Sequence, residues 1–344
     1  MNQEKQIAGL CAVGKYIQDF LEKDPASFNE TDLEFETVLR KSENENPWFT
    51  QENQRFAMKQ WSLLLTETKL RAWLSAYRVA AQPKRVGLIL AGNIPMVGFH
   101  DILAVVLSNH IPVIKLSSKD RQMLPFLLRL WNEKSGGEVQ YETVEKLQDF
   151  DAVIATGSNN TARYLEYYFR DHLSIIRKNR TSVAVLKGDE SDEELQLLAE
   201  DIFRYYGLGC RNVTRILMPE GFMVDRLFEN FIGFSDVINH NKYANNYEYN
   251  RAVYLLNLEK FWDNNFVMLK EDDKLFSPLS VINVSRYSDL DEVKKFLAAN
   301  EQDIQTVVAK AELGLNSIGF GEAQSPGLDT YADNVDTMRF LEVI

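Results

Sequence analysis

The stretch VGLILAGNIPMVGFHDILAVVLSNHIPVIKL, from Val86 to Leu116, constrains this chain more than any other. It is apolar enough to pass for a membrane span. Yet Asn93, Pro95, His100, Asp101, Asn109 and His110 interrupt it, and no run of about 18 clean apolar residues survives. The breaks fall where a strand would give way to a loop, a helix and a second strand. The segment therefore reads as a βαβ unit: RVGLILA a buried strand, HDILAVVLSN a helix, IPVIKL the next strand.

The alternation continues. DRQMLPFLLRLWNEK reads as a helix with Pro125 in its first turn. VQYETV and FDAVIAT read as short strands, and NTARYLEYYFRDHL as a helix. Strands alternating with helices argue an α/β protein whose parallel sheet is covered on both faces. Ligands of such sheets bind at the carboxyl ends of the strands. Before this region, Met1 to about Ala80 shows helical spacing, and Cys11 falls there as a small side chain packed in a helix. After it, TSVAVLKGDES reads as a strand leaving the first domain, DEELQLLAEDIFRYYG as a helix and VTRILMP as a strand. Strands near AVYLLN and LSVINV and a helix at LDEVKKFLAAN complete a second α/β half. The expected division is 1–184, 185–318, and a tail, 319–344, that returns toward the first domain.

Charge narrows the partners. A net charge of −12 over 344 residues disfavours nucleic acid or an anionic membrane as the main partner. Two cysteines and four histidines are too few for a disulfide framework or a metal cluster, so no metal is expected. The amino-terminal MNQEKQIAGLCAVGKYIQDFLEKD lacks the pattern of a signal peptide. The expectation is a cytoplasmic, reduced protein with no membrane span.

Four places carry candidate chemistry, each with a plain structural reading beside it. LAGNIP puts Asn93 at a strand's carboxyl end, where its amide can donate to a developing oxyanion; a turn residue bonding its own backbone is the plain alternative. Lys115 ends an apolar strand, as an anion or ribose contact or as a solvated strand end. Thr156, Gly157 and Ser158 join a strand to a helix, either as a phosphate cradle or as a helix cap. In YYGLGCRNVTRIL, Cys210 follows Gly207 and Gly209 and precedes Arg211 and Arg215. A thiol there can pack, or it can act as a nucleophile; the arginines can lower its pKa or equally point to solvent.

The order of these elements resembles the aldehyde dehydrogenase superfamily from about residue 85 onward. In that family an Asn-x-Pro turn supplies the oxyanion amide, which the resemblance assigns to Asn93. A Lys-Pro-Ser-Glu strand end contacts the adenosine ribose and falls on Lys115, Leu116, Ser117 and Ser118. A Thr-Gly-Ser turn meets the cofactor at Thr156, Gly157 and Ser158. The nucleophile before an Arg-Ile strand is Cys210. An Ile-Phe-Gly-Pro motif falls on Leu275–Pro278, with Phe276 near the nicotinamide, and a Phe-Gly…Ser-Gly tail falls on 320–327. The implied fold is a Rossmann-like cofactor domain plus a second α/β catalytic domain.

Departures from the pattern narrow the chemistry further. Hydrolytic members carry a glutamate in a Glu-Leu-Gly-Gly stretch that activates water. The matching stretch here, IIRKNRTSVAV (175–185), holds no acid, and Asp171, Asp189 and Glu190 fall outside it. Without that base, water attack on an acyl-enzyme is slow. Transfer to or from coenzyme A needs no such water, and the resemblance is closest to LuxC-type acyl-CoA reductases. Ser118 and Lys119 stand where an acid would repel a 2′-phosphate, which favours NADPH over NADH. Lys274 replaces a glutamate that often grips the nicotinamide ribose.

The expected substrate is an acyl-CoA or another activated acyl group, reduced to an aldehyde through a Cys210 thioester. A homodimer is the default assembly, and an acyl-supplying partner enzyme is a further expectation. A hydrolytic aldehyde dehydrogenase, an acyl-phosphate reductase and a non-catalytic binding protein on the same fold are the rival readings.

Overall fold

A computed structural model describes all 344 residues. The chain forms two compact units, 1–178 with 327–344, and 179–326. No helix is long and apolar enough to cross a membrane.

The first unit opens with four helices, α1 (Gln3–Glu22), α2 (Glu30–Glu45), α3 (Gln51–Leu64) and α4 (Glu67–Leu74). Glycine lets α1 pack tightly: a Cβ on Gly9 would lie 2.7 Å from the Ser135 backbone nitrogen. The Val86–Leu116 segment then folds as β1 (Arg85–Ile89), α5 (Phe99–Leu107) and β2 (Ile111–Lys115). Next come α6 (Met123–Lys134), β3 (Glu142–Thr143), β4 (Ala152–Thr156), α7 (Asn159–Tyr168) and β5 (Leu173–Arg177). Pro125 sits in the first turn of α6, where no helical N–H bond is lost. VQYETV contributes only the two residues of β3.

The strands form a parallel sheet ordered β3-β2-β1-β4-β5. Successive strands add to one side of β1, and then β4 returns to its other side. The crossover reverses between β1 and β4, so a crevice opens at their carboxyl ends. Pro112 lies in a paired strand without cost. Ile111 donates to Lys84, so position 112 faces the other way, and there β3 pairs only with Val113 and Ile114.

The second unit contains β6 (Thr181–Val185), α8 (Asp192–Phe203), β7 (Val213–Pro219), α9 (Asp225–Phe231) and α10 (Asn241–Leu256). It continues with β8 (Trp262–Asp263), β9 (Met268–Glu271), β10 (Val281–Tyr287), α11 (Leu290–Ala299) and β11 (Ile304–Ala309). Its sheet runs β11-β6-β7-β10-β9-β8, parallel except for the antiparallel edge strand β8. Alternate residues face opposite layers. Ala184, Ile216 and Val284 pack with α8 and α9, while Val183, Val185, Leu217 and Tyr287 pack toward α11. AVYLLN is not the expected strand. It closes α10, because Tyr243, Tyr247, Asn250 and Tyr254 bury at helical spacing and outweigh the β-rich composition of the last turn.

The chain then re-enters the first unit and ends in α12 (Thr337–Leu341). There Arg177 of β5 bonds Asp101 of α5 at 2.5 and 2.9 Å and Thr337 Oγ1 at 3.0 Å, all buried.

Candidate active site

The seat of Cys210 departs most from ordinary backbone. Past the end of α8, Tyr205, Tyr206 and Gly207 take φ of 57°, 58° and 76° in succession. Only Gly207 does so freely; an L residue in the left-handed region costs roughly 1–2 kcal/mol. Gly209 is not among the positive-φ residues, so of the two glycines only Gly207 is required by conformation.

Asn212 holds this turn, and sequence reasoning missed it. Fully buried, it donates from Nδ2 to the carbonyls of Asp201 (3.1 Å), Ile202 (3.1 Å) and Arg204 (2.9 Å) at the end of α8. These are carbonyls that the helix leaves without partners. Its Oδ1 accepts from Gly209 N–H at 2.7 Å. From β6, Ser182 Oγ donates to the Cys210 carbonyl at 3.2 Å. The one available signal was an asparagine two residues past a cysteine, which composition cannot separate from a loop residue.

Asp201 links the same turn to the tail. Its carboxylate accepts from Gly321 N–H (2.7 Å) and Ala323 N–H (2.9 Å). Burial still pushes the carboxyl up to about 7. The Phe-Gly…Ser-Gly tail therefore sits against the helix that ends at the cysteine turn.

Cys210 is half-buried. Beside it, Arg211 makes no ion pair, and burial lowers its pKa while the Cys210 sulfur acts to raise it. A lone cation in this position favours the thiolate. Arg215 has a different task. Its guanidinium donates to the carbonyls of Asp272 and Lys274 (2.7 Å each) and to Ser285 Oγ (2.9 Å), and it lies 4.6 Å from the Phe296 ring centre. Thr214 Oγ1 donates to Leu275 O at 3.3 Å. Asn283 Nδ2 donates to Lys274 O (2.9 Å) and Phe276 O (3.1 Å). The strand that follows Cys210 thus also holds the loop that carries Phe276, whose side chain is 40% exposed.

Cys11, by contrast, lies half-buried in α1, and burial raises its thiol pKa. That is the environment of a packing residue.

In the first unit, Asn93, Lys115, Ser117, Ser118, Thr156, Gly157 and Ser158 share the carboxyl edge of the sheet, on the loops after β1, β2 and β4. The loops after β1 and β2 pack directly, since a Cβ on Gly92 would lie 2.4 Å from Ser117 Oγ. Ser117 Oγ accepts from Lys119 N–H (3.2 Å) and so fixes its own turn. Ser158 caps α7, accepting from Thr161 N–H at 3.3 Å. Lys115, Ser118 and Lys119 are exposed. An exposed lysine pair, hydroxyls and a ten-residue helix with no acid in its first turn suit a dinucleotide at the switch point, although the three-glycine fingerprint is absent. Cys210 and Phe276 belong to the second unit and these seven residues to the first.

Beneath the Asn93 turn lies Asp120, 2% exposed, with neither carboxylate oxygen hydrogen-bonded. Burial pushes its carboxyl up to about 7, and the nearby Met96 N–H only partly offsets this. Met96 itself is buried at φ 60°.

The acids that flank 175–185 are all engaged elsewhere. Glu190 accepts from the N–H groups of Lys187 (2.5 Å) and Gly188 (2.9 Å). Asp189 pairs with Lys187 and Lys310, and Asp171 is exposed beside Arg170.

These two sheets, with the carboxyl-edge loops on one and a seated cysteine on the other, define an aldehyde dehydrogenase fold. Among solved structures, the aldehyde dehydrogenase of Mycobacterium tuberculosis complexed with NAD+ matches with a TM-score of 0.62 and 15% identity, over 93% of this chain and 77% of that one. Aldehyde dehydrogenase 21 of Physcomitrella patens, complexed with succinate, matches at 0.64 and 12%, over 100% and 84%. The glyceraldehyde-3-phosphate dehydrogenase of Methanocaldococcus jannaschii, complexed with NADP, matches at 0.61 and 16%, over 90% and 81%. No protein-family model matches the chain, and no curated protein matches it.

Proposed function

We propose that the protein is an NAD(P)-dependent oxidoreductase of the aldehyde dehydrogenase type, and more narrowly a reductase of acyl thioesters. The observation that carries this reading is the Cys210 seat: a strained left-handed turn, clamped by Asn212, presents one half-buried thiol beside the lone cation of Arg211. Backbone strain of this kind is retained where it serves a site. The acid-free stretch 175–185 supports acyl transfer over hydrolysis, since its flanking acids are spent on turns and ion pairs.

In the proposed reaction the Cys210 thiolate attacks the thioester carbonyl. The oxyanion donors are those the resemblance assigns, the Asn93 amide and the Cys210 N–H. The carbon–sulfur bond to coenzyme A breaks, its thiolate leaves and takes a proton, and the acyl group stays on Cys210. On the first unit, Lys115, Ser117, Ser118 and the Thr156–Ser158 turn would hold NADPH, which would supply the hydride that brings the acyl group to the aldehyde level; the resemblance assigns Phe276 to the nicotinamide. Cys210 departs as thiolate. The sum is acyl-CoA, NADPH and a proton giving aldehyde, coenzyme A and NADP+.

The experiment is NADPH oxidation against acyl-CoAs of rising chain length, with Cys210→Ala as control. Turnover lost in that variant supports the reading; full turnover without Cys210 removes it. Hydrolysis of an ester without coenzyme A, or turnover of an acyl phosphate in place of the thioester, would select another reaction of the same fold.

A further inference from the structure

Asp120 sits where two loops of the first unit's carboxyl edge meet: the turn 91–98 that carries Asn93, and the loop after β2 that carries Ser117 and Ser118. Its backbone is pinned. Asp120 N–H donates to Ser117 O (3.2 Å), and Asn46 Nδ2 donates to the preceding Lys119 O (3.3 Å). A Cβ on Gly92 would lie 3.3 Å from the Asp120 nitrogen, so the start of the turn rests on the same residue. The carboxyl reaches the middle of the turn. There Met96 is fully buried in a left-handed conformation that an L residue resists, and its N–H is the one donor acting on the acid.

Nothing nearby balances a charge at this place. The turn 91–98 and the 46–50 connection between α2 and α3 hold no ionisable side chain. Lys115, Lys119 and Arg121 are exposed, as is Glu45, which accepts from Gln122. In α5, Asp101 is spent on Arg177, and His100 bonds Leu328 O. A neutral carboxyl without partners costs far less than a carboxylate without them. Ionisation must therefore bring in water or move the turn.

We infer that Asp120 is a positioning residue for Asn93: as a neutral acid it allows the turn 91–98 to close on the loop after β2, and as a carboxylate it displaces the turn. The effect on turnover rests on the proposed role of Asn93; the hold on the turn does not. Burial raises this carboxyl to about 7, so the change falls near neutral pH.

Hydrogen exchange of the full chain tests this, read by mass spectrometry on peptides covering 91–98 and α6. In the wild type, protection of 91–98, corrected for the intrinsic effect of pH, falls about tenfold from pH 6 to pH 8, as for a group that titrates near 7, while that of α6 holds. In Asp120→Asn the change stays below about twofold. Should that variant fold poorly, the contrast between the two segments of the wild type decides. The kcat of the wild type for acyl-CoA reduction, divided by that of Asp120→Asn, falls about tenfold over the same range, with KM nearly constant. Protection of 91–98 that ignores pH, or that falls equally in the variant, overturns the inference, as do kcat profiles that superimpose. Absence of turnover in both proteins, with the exchange difference intact, removes the acyl-CoA reading and leaves the proton-controlled turn standing.

Discussion

Asp120 gives the sharpest stability prediction. Its carboxyl is buried, both oxygens lack hydrogen bonds, and its folded pKa is about 7 against an ordinary 3.8. A gap of about three pH units corresponds to about 4 kcal/mol. The folded value is the higher one, so below pH 4 the acid is protonated in both states and costs nothing. As pH rises toward 7 the unfolded chain ionises freely and the folded one does not, and stability is lost. Asn at this position keeps the shape and cannot ionise. Any penalty from its amide is the same at every pH. Asp120→Asn should therefore gain on the wild type by about 3–5 kcal/mol between pH 4 and pH 8. Urea denaturation followed by tryptophan fluorescence reads this directly, because four of the five tryptophans, Trp48, Trp61, Trp73 and Trp131, lie in the same unit as Asp120. A difference between the two proteins that does not change with pH would refute the reasoning.

Three further outcomes follow from the geometry. Asn212→Ala should cost the second unit about 2–4 kcal/mol in urea denaturation, since several buried polar groups lose their partner, and should slow alkylation of Cys210 by iodoacetamide. Arg211→Met should raise the midpoint of the pH profile of that alkylation by about one unit or more, because the thiolate loses its adjacent cation; an unchanged midpoint would show that the cation does not act on sulfur. Arg177→Met should destabilise the first unit by about 3–5 kcal/mol, with most of the loss recovered by adding Asp101→Leu, because the penalty lies in the carboxylate left behind.

Much of the fold was legible because burial leaves a pattern. Of the interruptions of Val86–Leu116, Asn93, Pro95, Asn109 and His110 fall in the loops around α5 and His100 and Asp101 in its first turn, and β6, β7 and β10 announce themselves as short apolar runs between turn formers. The last turn of α10 was misread because Val253, Tyr254, Leu255 and Leu256 have strand composition. Its helical period is set by Tyr243 and Tyr247, a turn or more earlier. At the site, Cys210, Asn93 and the edge residues could be named from order along the chain. Asn212, Asp201 and Asp120 could not. Their importance comes from carbonyls, N–H groups and burial contributed by distant segments, and nothing local in sequence records it. For Arg215 the sequence left open a place beside the thiol or one in solvent, and it takes neither: it is buried and strand alternation sends it to the 272–276 loop.

The return of residues 327–344 to the first unit has a consequence for synthesis. His110 is held neutral by burial, with Nδ1 accepting from Lys84 N–H (3.0 Å) and Nε2 donating to Leu341 O (3.0 Å). Arg177 reaches Thr337, Trp73 donates to Tyr331 Oη (2.7 Å), and Met338 and Leu341 are buried. All these partners leave the ribosome after the whole second unit. The first 178 residues must therefore wait, with an open seam over α5 and β5, while 148 more are translated. At about 5–20 residues per second that interval lasts on the order of ten to thirty seconds. During it the second unit, continuous in the chain, is free to fold first, so the order of completion reverses the order of translation.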